Sequence, residues 1–130
     1  MKTIIVLAAL AAASGAYAAE PAIQIDAWSQ YRHGKTETVV TVNNLMVDHT
    51  ITRLRGTYET RSDLGFTEVG HFSVEYVESG KDRQGRGYTE TPYSLLVTNR
   101  LLGIDWCEID GRLMDCAPLV VFTDHPKATR

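Results

Sequence analysis

Cysteine is nearly absent from this chain of 130 residues, with two in all, and proline, at four, is little commoner. So few thiols exclude a disulfide-dense mini-scaffold and any zinc knuckle built on four of them. No apolar run exceeds the ten residues Ile4 to Ala13, which as a helix reach only about 15 Å, roughly half of a hydrocarbon core, so no membrane span is expected. Neither sign of charge dominates. With 13 Lys and Arg against 16 Asp and Glu, the chain carries no basic footprint for nucleic acid or an anionic membrane surface. The length allows one domain and excludes a multidomain enzyme.

What is present divides into two unlike parts. Met1-Lys2-Thr3, the apolar run, and the small residues Ala16 and Ala18 with one residue between them have the n, h and c regions of a secretory signal peptide. Cleavage after Ala18 is expected. It leaves residues 19–130 as a single β-rich domain, exported to a periplasmic or extracellular space. This part has 43 hydrophobic residues in 112, or 38%, and Val, Ile and Thr together supply 28 of the 112 while Ala falls to five. Residues branched at Cβ are stiff at the first side-chain torsion and suit a pleated surface.

Alternating patterns place strands at about 22–28, 36–42, 50–59, 66–77, 88–98, 101–109 and 113–122. The clearest is 66–77, where Phe66, Phe72, Val74 and Tyr76 share one parity and His71, Ser73 and Glu75 the other. The Gly-containing stretch Ser79–Gly87 reads as the tip of a long hairpin. Pro92 lacks an amide donor and belongs at an edge or bulge. Residues 124–130 read as a frayed tail. About seven short strands imply an all-β fold, a small antiparallel β-sandwich of immunoglobulin-like type, with a small β-barrel as the alternative; a helix over 44–60 is also open.

Cys107 and Cys116 are expected to form a disulfide, because an exported chain with an even count meets an oxidising compartment. Hairpin arithmetic places Gly111-Arg112, or a four-residue loop from Asp110 to Leu113, at the turn, which sets Cys107 opposite Cys116. A turn at Asp110-Gly111 would put Met114 there instead. By alternation Trp106 then points away from the disulfide and into the core.

The four histidines, His33, His49, His71 and His125, show no metal-ligand spacing: neighbours such as Asp48-His49 and Asp124-His125 point to opposite faces of a strand. No metal or other cofactor is expected. No serine lies in a Gly-x-Ser-x-Gly elbow and no Gly-rich loop opens a helix, so no enzyme is expected either. Arg outnumbers Lys nine to three after residue 18, a bias that fits a protein-facing surface. Arg53 and Arg55 on one strand, with Lys81, Arg83 and Arg86 in the basic loop, are the candidate partner-binding residues.

Leu45-Met46-Val47-Asp48-His49-Thr50-Ile51-Thr52 resembles the short Asp-x-Thr-x-Thr run of periplasmic curli accessory proteins, although a single Tyr58 stands where that family has an aromatic pair. The strand order over 22–77 resembles that of small curli-inhibiting periplasmic sandwiches. This resemblance implies a role in holding unfolded fibre subunits. From the residues themselves, two functions are open. The first is a non-enzymatic exported module that binds another exported protein, as inhibitor, chaperone or assembly accessory, through strand edges and the arginine face. The second is a small-ligand or carbohydrate binder using Trp28, Tyr31, Tyr88 and Tyr93.

Overall fold

The computed structural model describes residues 22–89 and 96–128. The leader at 1–18, together with Pro92 and Tyr93, lies outside the described residues. Nine strands follow in order: β1 (Ile23–Arg32), β2 (Lys35–Asn44), β3 (Ile51–Ser62), β4 (Thr67–Val77), β5 (Asp82–Thr89), β6 (Leu96–Ile109), β7 (Arg112–Leu113), β8 (Val120–Asp124) and β9 (Lys127–Ala128). They form two packed sheets, β5-β2-β1-β8 and β4-β3-β6-β7, with β9 also on β6. The result is a β-sandwich rather than a closed barrel. β1, β2 and β5 take the A, B and E places of an immunoglobulin-like key, and β4, β3, β6 and β7 those of C′, C, F and G.

Local chemistry sets the turns. His33 (φ 51°) and Gly34 (φ 78°) close the β1–β2 hairpin as two left-handed residues, the geometry whose twist matches the strands it joins. Between β3 and β4, the Ser62 hydroxyl accepts from the amides of Leu64 and Phe66 and so organises the loop. The helix considered for 44–60 is replaced by β3, whose β-branched and aromatic residues pair on both sides.

The apolar interior is built from Ile23, Ile25, Val40 and Val42 of one sheet against Ile51, Leu54, Phe72, Val74 and Ile109 of the other. Each such side chain contributes about 1.5–3 kcal/mol when withdrawn from water. Toward the other end the interior becomes polar, with Ser29, Thr38, Thr60 and Asn99 hydrogen-bonded to one another. Asn99 Nδ2 donates to Ser29 Oγ (2.9 Å), Thr60 donates to Asn99 Oδ1 (2.8 Å), and Ser29 and Thr38 share a hydrogen bond of 2.8 Å.

Several sequence expectations are corrected. The segments 88–98 and 101–109 are not two strands: β6 runs unbroken through Asn99-Arg100, which supply no turn. The stretch Ser79–Gly87 is not a hairpin tip: Ser79–Lys81 turns the chain from β4 in one sheet to β5 in the other, and Asp82–Gly87 pairs with β2 as most of β5. Phe66 and Tyr76 are exposed although Phe72 and Val74 are buried. Tyr76 has φ 53°, which breaks the alternation and turns Val77 inward instead. The tail is likewise partly ordered, since β9 pairs Lys127 with Val97.

The disulfide between Cys107 and Cys116 is present, with Cα atoms 6.0 Å apart, but the turn is not the expected one. Asp110 (φ 53°) and Gly111 (φ 78°) form it, and Ile109 faces Arg112. Met114 indeed meets Cys107, donating its amide to the Cys107 carbonyl. The chain then leaves the sheet, and Cys116 returns to the core at the start of a 3-10 turn, Ala117–Leu119. Since Cys107 faces inward, Trp106 faces outward and is exposed, the reverse of the expectation.

Candidate functional site

The immunoglobulin-like key places a G strand along the whole outer edge of F. Here β7 covers β6 only at Glu108 and Ile109, and β9 covers only Leu96 and Val97. Two further groups shorten the open part. The Asp124 carboxylate accepts from the Asn99 amide (2.8 Å), and Met114 occupies the Cys107 carbonyl. Between these stops, Arg100 to Trp106 have no strand on their outer side among the described residues.

The cause is local. The Cys107–Cys116 bond pulls the chain off β6 after Leu113, and the next strand, β8, joins β1 in parallel in the opposite sheet. Two bulges mark the bare stretch, since Leu102 and Asp105 are skipped in the pairing with β3. Bulges bend an edge and re-aim side chains. Beside this edge lies an apolar groove of about 160 Å³ between the sheets, lined chiefly by Leu101, Leu102, Ile104, Val120 and Phe122. A Cβ placed on Gly103 there would meet only open space.

The opposite long side is closed. Gly85 and Gly87 let β5 approach β4 so nearly that an added Cβ would lie 3.3 Å from the Ser73 carbonyl or 3.2 Å from that of His71. At this corner an open cleft of about 520 Å³ is lined by Arg55, His71, Ser73, Arg86 and Asp105.

The five basic residues singled out from the sequence are therefore divided. Arg55 and Arg86, distant in sequence, meet at the cleft. Arg53 is paired with Glu75 (3.2 Å), Arg83 donates to the Tyr76 carbonyl (3.0 Å), and Lys81 sits in the turn before β5. Arg86 is anchored by Glu37 (3.1 Å), a carboxylate only 3% exposed. Gln30, and with it Tyr88 and Arg86, donate hydrogen bonds that hold the Glu37 carboxyl below its ordinary range against the opposing effect of burial.

His49 and Asp110 tie the β2–β3 connection to the β6–β7 turn through a 2.6 Å contact, and this, with the Thr50 amide, lowers the Asp110 carboxyl. His125 meets Asp26 at 3.0 Å. Among the described residues no group of three or more His, Cys, Asp or Glu is arranged to hold a metal. Of the four aromatics considered for sugar stacking, Trp28 and Tyr88 share the outer face of the first sheet, but the Tyr88 hydroxyl is bound to Glu37.

The bare edge escaped the sequence reading because the strand count treated β6 as two pieces and β7 as part of a long strand. The available signal was Asp110-Gly111, a strong two-residue turn pair. Taken with an obligatory disulfide, it forces the chain away from β6. The chain matches no protein-family model, no curated protein and no solved structure.

Proposed function

We propose that this chain is an exported, non-enzymatic β-domain that binds another exported protein, as inhibitor, chaperone or assembly accessory, by accepting an extended segment along β6. The observation that carries the reading is the stretch Arg100–Trp106, which has no neighbour among the described residues where the rest of the key calls for a strand. Main-chain hydrogen bonds to such an edge supply affinity, and the groove beside it selects apolar side chains at alternate positions of the guest. The disulfide, buried at both cysteines, fits an oxidising compartment.

The test places a photo-crosslinking residue at Leu102, identifies the exported protein captured, and then maps amide exchange in the purified pair. Protection of Arg100–Trp106 on adding the partner, lost in Leu102→Lys, is the expected result. Lysine on an open edge discourages strand pairing. A partner that protects β4 or β5 and leaves β6 exchanging at its free rate would overturn the proposal.

A further inference from the structure

The cleft at the β4–β5 corner has a chemistry of its own, and it shares one residue, Asp105, with the β6 run Arg100–Trp106. Arg55 lines it with no acidic partner within ion-pair distance among the described residues. Arg86, held by Glu37 and Gln84, still has a side chain 46% exposed, and its fork retains unused donors. The Ser73 hydroxyl has no partner among the described residues, and lies on the same strand face as His71.

The state of His71 follows from counting protons. The Thr57 hydroxyl has a single hydrogen and gives it to Asp105. The contact between Thr57 Oγ1 and His71 Nδ1 (3.1 Å) therefore has the histidine as donor. That fixes a proton on Nδ1 and leaves Nε2 for a ligand. It also turns the Asp105 carboxylate, the one acid lining the cleft, toward a hydroxyl.

We propose that this cleft binds a tetrahedral oxyanion, a phosphate or sulfate group, between Arg55, Arg86, His71 and Ser73. Two guanidinium forks match the oxygen geometry of such an anion. Ser73 adds a donor, and Nε2 accepts the proton of a singly protonated phosphate or, when itself protonated, donates to a sulfate. The Gly85 and Gly87 pair is what brings Arg86, between them, to the strand bearing His71 and Ser73.

Titration of the isotope-labelled protein with sodium phosphate, sodium sulfate and methyl phosphate, against chloride at constant ionic strength, tests this by amide chemical shifts. Saturable shifts are expected at residues 55, 71, 73 and 86. Arg55→Ala should weaken binding at least fivefold. His71→Asn, which keeps a donor toward Thr57 but lacks Nε2, should weaken it at least twofold, while Arg112→Ala leaves it unchanged. Methyl phosphate binding as well as phosphate identifies an ester-borne group as the ligand; a tenfold preference for phosphate identifies the free ion; both support the site. Shifts linear in concentration and equal to those in chloride would overturn it, as would an equal loss in Arg55→Ala and Arg112→Ala.

Discussion

The two long sides of this sandwich are finished in opposite ways. Along β4 and β5 the sheets meet closely, because Gly85 and Gly87 carry no Cβ to hold them apart, and at Gly87 an added Cβ would run into the hydroxyl of Tyr58, which reaches across from the other sheet. Along β6 and β8 the sheets part, leaving a groove and an unpaired edge. Closure on one side comes from residues that lack bulk. Opening on the other comes from a covalent bond that diverts the chain. A two-sheet fold can thus be sealed along one side and left open along the other.

Breaking the bond that creates the open side should have the largest effect. Closing a loop of this length is worth roughly 2.5–3 kcal/mol in the chain-entropy model, and Cys107→Ala/Cys116→Ala should lose about that much in a urea titration, with earlier exchange in β8. Filling the closed side comes next. Gly87→Ala drives a methyl group into the buried Tyr58 hydroxyl, and overpacking of this kind costs about 1–3 kcal/mol; the denaturation midpoint should fall, with β5 exchanging first.

Acid acts on the same closed side. Glu37 latches Arg86 and Tyr88 of β5, and its carboxyl is depressed below 4.5 in the folded protein. Its contribution is therefore complete above the unfolded value and is lost as pH falls through the lower, folded one. Glu37→Gln should remove about 1.5 kcal/mol at pH 7, the low end of the range for hydrogen bonds to charged groups, and flatten the acid-side loss of stability in urea titrations. Leu102→Lys should change stability least, by under about 0.5 kcal/mol, because Leu102 is exposed. Its effect should appear only in partner binding.

The legible part of the fold was the part governed by period-two patterning. Phe72 and Val74 were assigned to the buried face correctly, and the pairing of the two cysteines followed from their even count and an expected oxidising compartment. Patterning failed wherever a single residue reset the phase. Tyr76 and Asp110 adopt left-handed backbone conformations: the first moves Val77 onto the buried face, and the second sets the turn one residue earlier than expected. Trp106 was misplaced for a different reason: its alternation with Cys107 held, but Cys107 is the member of the pair that faces the core. Of the candidate site, the arginines were recognised, but the meeting of Arg55 with Arg86 depends on two sheets touching at an edge. No local pattern encodes that contact; the glycines around Arg86 are its only trace in the sequence.

The hydrogen bond from the Asn99 amide to Asp124 has a consequence for length. With Met114 at the Cys107 carbonyl, it brackets the exposed run at both ends. At about 3.3 Å per residue, Arg100 to Trp106 accommodate roughly 23 Å of extended chain. A guest longer than this must bend away or displace a side chain. For the guest proposed above, the edge therefore acts as a ruler, limiting the paired stretch to Arg100–Trp106.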